Sequence, residues 1–168
     1  MITSSNRHRL GAVSLAIVVA AAALQIAAPS ARAQTHDHGA STPARLSLDQ
    51  GRKWSTDAAL RAGMGRIRGL IEPQLANAHA GKLSAAQYTA LASRVEAEVG
   101  GIVANCKLPP QADAMLHVVI GEIGAGTDAM AGKTPATPPQ QGLVMVTGAI
   151  NDYQRYFDHP GFTPIHVH

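Results

Sequence analysis

Thiols are nearly absent from this chain: its one cysteine, Cys106, cannot close an intramolecular disulfide. A lone thiol is either buried and inert, a metal ligand, or a site of intermolecular pairing. Aromatic side chains are scarce, with two Phe, three Tyr and one Trp. No run of residues alternates as a half-buried strand does, and no internal repeat is visible. There is no Ser-His-Asp arrangement, no paired carboxylate set, and no phosphate-cradling glycine loop. Gly121, Gly124 and Gly126 fall inside a helical pattern and follow no strand. The chain therefore reads as a non-enzyme.

Excess charge is also missing once the first residues are set aside. Arg7, His8 and Arg9 form a basic start, residues 10–28 are apolar apart from Ser14 and Gln25, and Ala31-Arg32-Ala33 is a small-x-small cleavage pattern. Residues 1–33 thus read as a secretory signal peptide, with an uncleaved anchor as the other possibility. The full chain has 14 Lys and Arg against 11 Asp and Glu, and Arg7, Arg9 and Arg32 account for the difference. A neutral mature chain gives no support to nucleic-acid binding. The expected location is periplasmic or secreted, with no membrane insertion after cleavage.

What the chain does have is helical periodicity. Residues 34–51 are a polar, flexible tail. Thr56-Asp57 is a plausible N-cap and first-turn acid, and Leu60, Met64, Ile67, Ile71, Leu75 and Ala78 form one stripe, kinked at Pro73. Ser84-Ala85-Ala86-Gln87 is a capping box opening a second helix, with Tyr88, Leu91, Val95, Val99 and Ile102 inward. Cys106 continues that phase onto the core face. Pro109-Pro110 separates a third helix from about Gln111, striped by Ala112, Leu116, Val119, Ile123 and Met130 and weakened by its three glycines. Thr137 as N-cap with Pro138 at the first position opens a fourth, striped by Leu143, Val146, Ile150, Tyr153 and Phe157 and ended by Pro160-Gly161. The expected fold is all-α: an up-down-up-down four-helix bundle over residues 52–159, with flexible His-rich termini and a C-terminal tail over 160–168.

Histidine is the residue that is present in pattern. His36 and His38 lie at one end, His159, His166 and His168 at the other, and only His79 and His117 between. In an antiparallel bundle with an even helix count, the start of the first helix, the end of the fourth and the turn holding Cys106 share one end. His36, His38, His159, His166, His168 and Cys106 are then expected in one neighbourhood, with His79 at the opposite end. Neutral imidazole is the commonest protein ligand for transition metals. Cleavage after Ala33 would leave a free amine, two amides and His36 as a square-planar four-nitrogen set suited to Cu(II) or Ni(II), with Asp37 and His38 beside it. His166-Val167-His168 alternates so that both rings of an extended segment point one way. Cys106 with His117 would select Cu(I) or Zn(II), unless the one is a buried inert thiol and the other a hydrogen-bonded buried imidazole. Met64, Met115, Met130 and Met145 could supply thioethers for Cu(I) but form no Met-x-x-Met cluster, and Met64, in the first-helix stripe, reads as packing. Trp54, Asp57, Arg61 and Arg68 offer either an anion- or partner-facing patch or a plain solvated face.

Three blocks carry a resemblance. Lys53-Trp54-Ser55-Thr56-Asp57 followed by Leu60-Arg61-x-Gly63-Met64-x-x-Ile67-Arg68, then Cys106-Lys107-Leu108-Pro109 with Ala112-Asp113 and Leu116-His117, then Tyr156-Phe157-x-His159-Pro160-Gly161, together resemble exported proteobacterial proteins labelled DnrO-like. That resemblance implies export and no established activity. In topology alone the chain is similar to four-helix cytochromes of the c-prime type, but it has no Cys-x-x-Cys-His, which excludes covalent haem. The reading at this stage is an exported helical protein that binds or buffers a transition metal, copper first and nickel or zinc next, through His36, His38, His166 and His168, with His159, Cys106 and His117 as further ligands. The alternative is an envelope interaction or structural module, with a protein partner or a second copy and incidental histidines. Noncovalent haem or a small ligand on His117 is a third reading.

Overall fold

A computed structural model describes residues 45–166. The described part is helical: α1 (Ala58–Ile71), a 3-10 turn (Glu72–Gln74), α2 (Leu75–His79), α3 (Ala85–Asn105), α4 (Pro110–Met130) and α5 (Pro139–Tyr156), with isolated bridges but no strand. His36, His38 and His168, the cleavage pattern and the polar tail up to residue 44 lie outside the described residues.

The starts of α1, α3 and α5 and the break before α2 each have a local reason. Asp57, not Thr56, caps α1: its Oδ1 accepts from the Leu60 amide at 2.7 Å. Pro73 lacks the N–H that the helical ladder needs, and the chain tightens into a 3-10 turn there before α2 resumes the same stripe. Ser84 and Gln87 form the reciprocal capping box of α3. α5 starts at Pro139, one residue later than the Thr137-Pro138 pattern suggests. The reason is steric: Pro138 precedes another proline and is held extended, at ψ 148, so it cannot be the first helical residue.

The core is aliphatic. Leu60, Met64, Ile67 and Ile71 of α1 meet Val95 and Ile102 of α3, Leu116, Val119 and Ile123 of α4, and Val146, Ile150 and Tyr153 of α5 in one buried cluster. α4 packs most extensively on α5, α1 on α3 and α3 on α4, and α5 also touches α1. Gly126 sits at the closest approach of α4 and α5. A Cβ there would stand 2.9 Å from the Gly142 carbonyl oxygen. Gly121 and Gly124, by contrast, face open space. Only Gly126 of the three is therefore a packing requirement rather than a weak point.

Both ends of the described chain are tied to these helices. The strap before α1 pairs in parallel with the exit of α5: the Trp54 amide donates to the Tyr156 carbonyl and the Asp158 amide to the Trp54 carbonyl, each at 2.8 Å. Beyond the turn at Gly161 the chain runs back along α1. Arg68 Nε donates to the Thr163 carbonyl at 3.0 Å. The Asn151 side chain then holds both the amide (2.8 Å) and the carbonyl (3.0 Å) of Ile165, whose side chain is buried. No helix among the described residues is long and apolar enough to cross a membrane.

Candidate functional site

The histidines in the described region occupy three separate places. His159 sits where α5 meets the strap. Its Nδ1 lies 3.0 Å from the buried Tyr153 hydroxyl, and its ring packs on Phe162 with centroids 4.7 Å apart. Burial, followed by the nearby Arg61 guanidinium, lowers its pKa. Ser55, Thr56, Arg61, Asp158 and Pro160 complete the small cleft around it. A committed Nδ1 and an adjacent guanidinium make this a poor place for a cation, so His159 serves the packing of the α5 exit.

His117 is exposed rather than buried. Its Nδ1 donates to the Asp113 carbonyl one turn back, at 2.9 Å, and lies 3.4 Å from the Asp113 carboxylate. α3 stops at Asn105 and Cys106 turns extended at φ −75, ψ 145, yet its side chain still packs against the core cluster, the face that the α3 stripe predicts. It is half-buried at the helix end. Burial first, and then the carboxylates of Asp57 and Asp113, push its thiol above the usual range, which disfavours the thiolate that metals and electrophiles require.

His166 departs most from the expectation of a single neighbourhood. The tail does not stay at the end of the molecule that holds His159 and Cys106. Arg68 and Asn151 lead it along α1, and His166 lines a cleft of about 400 Å³ with Glu72, Leu75, Ala76 and His79. His79, the last residue of α2, is thus beside His166 and not across the molecule from it. No short-range pattern announces this.

Among the described residues, no group of three or more His, Cys, Asp and Glu is arranged to hold a metal ion. His79 and His166 supply two imidazoles on one wall. Arg68 organises that wall, because Nη2 pairs with Glu72 at 2.7 Å while Nε holds Thr163.

The Trp54–Arg68 face is not an open patch. Arg61 Nη1 donates to the Thr56 carbonyl at 2.7 Å and to Thr56 Oγ1 at 3.0 Å, and Arg68 is taken up by the tail and Glu72. What is open lies on the other side of Trp54. A cleft of about 840 Å³ is lined by Arg52, Lys53, Trp54, Pro109, Gln111 and Asp158, among others. Its charges are locally engaged, Arg52 with Asp49 and Lys53 Nζ with the Gln154 carbonyl.

Asp57 has a structural role that its helix-start position only half discloses. Its Oδ1 caps α1, while Oδ2 accepts from the Lys107 amide in the α3–α4 turn at 2.6 Å. Burial pushes its pKa up, but the Leu60 and Lys107 amides and the Arg61 charge outweigh that, and the net shift is downward. Comparison of the chain with protein-family profiles, characterised proteins and solved structures finds no match.

Proposed function

We propose that this is an exported helical protein that binds or buffers a transition metal through its His-rich ends, copper first and nickel or zinc next. The arrangement we read is an up-down-up-down four-helix bundle, supported by packing of each helix on its sequence neighbours and by contact of α5 with α1. The observation that favours metal binding is the anchoring of the C-terminal tail. Ile165 is buried and held at both backbone groups by Asn151, so His166 leaves a fixed point on the surface. A ligand whose backbone is already ordered loses less entropy on binding. His36 and His38 would supply the other, N-terminal set after cleavage at Ala33. Membership of the DnrO-like family belongs to the same proposal and adds no activity of its own.

The test is intact native mass of protein purified from envelope extract and exposed to Cu(II). A chain starting at Gln34 with bound copper, lost on joint alanine replacement of His36, His38, His166 and His168, is expected. Unchanged metal affinity in that variant refutes the reading. The alternative is an envelope interaction module, and the open cleft beside Trp54 favours it over the Arg61–Arg68 face. A partner captured equally well with and without chelator would select it.

A further inference from the structure

We propose that the cleft between the start of α1 and the exit of α5 is a binding site for a small monocarboxylate, gripped by the Arg61 guanidinium with His159 Nε2 as second donor. The site is independent of the metal-binding reading and uses none of the histidines beyond His159.

Three observations carry it. The first is an unmatched charge. Among the described residues two arginines are half-buried, Arg61 and Arg68. Arg68 pairs with Glu72, whereas Arg61 forms no ion pair with any described residue. The nearby Asp57 spends its two oxygens on the Leu60 and Lys107 amides. A cation drawn partly out of water is ordinarily matched by an anion.

The second is a guanidinium held in place with one edge open. Both hydrogen bonds of Arg61 use Nη1, on the Thr56 carbonyl and hydroxyl. Thr56 is itself pinned, because its hydroxyl donates to the Asp158 carbonyl at 2.6 Å. The Nε–Nη2 edge has no hydrogen-bond partner among the described residues, and such an edge meets a carboxylate with two parallel N–H···O bonds. Arg61 lines the same cleft of about 400 Å³ as His159.

The third is the His159 tautomer. The buried Tyr153 hydroxyl has His159 Nδ1 as its hydrogen-bond partner, and burial keeps that phenol protonated. If Nδ1 carried the ring proton, the phenolic O–H would be left without an acceptor, which is costly in a buried place. The phenol therefore donates to Nδ1, and the neutral ring carries its proton on Nε2. That N–H is a second donor in the cleft with Arg61. Asp158 lines the cleft as well and brings a negative charge. It penalises a dianion twice as heavily as a monoanion, so the fit is to a monocarboxylate rather than to phosphate.

The test titrates metal-free, full-length protein with acetate, benzoate and inorganic phosphate at about pH 7.5, where exposed imidazoles are neutral. The Arg61 Nε–H and His159 ring NMR signals are followed. Both carboxylates should shift the two signals together and saturably, with phosphate at least about tenfold weaker. R61K keeps a donor for Thr56, so its thermal melt is expected to stay close to the parent. It loses the fork, however, and should bind benzoate at least about tenfold more weakly. R155K, at an exposed arginine of α5, should leave binding unchanged. The absence of a saturable shift at Arg61 and His159 in the unsubstituted protein overturns the site, whatever the variants do. Equal benzoate affinity in R61K overturns the role of Arg61, and phosphate bound as tightly as acetate overturns the monocarboxylate assignment.

Discussion

Replacing Gly142 with alanine should destabilise the protein although alanine is the better helix former. Gly142 lies in the first turns of α5, where a Cβ would stand 2.6 Å from both the Gly126 carbonyl oxygen and the Met130 amide nitrogen, and 2.9 Å from the Ala129 Cβ. The first two are backbone atoms of α4 and cannot rotate away. Ordinary contact begins at 3.4 Å, so the helices must part locally by about 0.8 Å, enough to forfeit a quarter to a half of the dispersion energy of the atoms around it. Overpacking of this kind costs about 1–3 kcal/mol. The gain in helix propensity returns up to about 1 kcal/mol. Because backbone rather than side chain is displaced, the upper half of the overpacking range applies, and the net loss is about 1–2 kcal/mol. For a domain of this size that is a fall in Tm of about 4–8 °C. Gly148, later in the same helix, is the control: nothing lies within 4 Å of its Cβ position, and G148A should stabilise by about 0.5–1 kcal/mol. Urea and thermal melts of the two variants decide it. A G142A protein as stable as the parent would refute the close crossing of α4 and α5.

Removing the Asp57 carboxylate (D57A) strips both the α1 cap and the bond to Lys107, and should cost about 2–3 kcal/mol by urea unfolding at neutral pH. Because the folded pKa of Asp57 is lowered, its contribution is complete above the unfolded value of about 3.9 and is lost as pH falls below it; the stability gap between parent and variant should shrink over that range, and a constant gap would contradict the assigned hydrogen bonds. His159 should titrate by NMR below about 6.5, since burial and Arg61 lower its pKa. The sign follows: the neutral ring contributes stability above the unfolded value, and that contribution is lost as pH falls through 6.5 toward the folded pKa, so a midpoint at or above 6.5 would place His159 outside its packed site. Asn151→Ala removes two bonds to the Ile165 backbone and should cost about 1–2 kcal/mol while exposing the Ile165 amide to hydrogen exchange; retained protection would mean that the tail is held elsewhere.

What could be read from the sequence follows the range of the interactions involved. The α3 start was legible because Ser84 and Gln87 are three residues apart and satisfy each other. The stripe from Leu60 to Ile71 was legible because its period is set by the helix itself. Pro138-Pro139 moved the α5 start by one residue, a local rule that a Thr-Pro reading passes over. Cys106 reaches the core face that the α3 phase predicts, but only half-buried, because the helix ends one residue before it. The tail was beyond such reasoning. Its course depends on Arg68 with Thr163 and Asn151 with Ile165, the first pair separated by 95 residues. So His166 was expected beside His159 and lies beside His79 instead. Gly126 and Gly121 look alike in sequence, and only the neighbouring helix distinguishes them.

The two oxygens of Asp57 also bear on the timing of local motions. One holds the first turn of α1 and the other the turn between α3 and α4, 50 residues away. Neither can release its amide by a carboxylate rotation without disturbing the other. Fraying at the start of α1 and loosening of the α3–α4 turn are therefore not independent fluctuations but a shared opening, of the kind that defines a cooperative unit in native-state exchange. Cys106, immediately before Lys107 and half-buried in the closed state, belongs to that same unit, so full exposure of the only thiol in the chain is tied to the fraying of a helix end far from it in sequence.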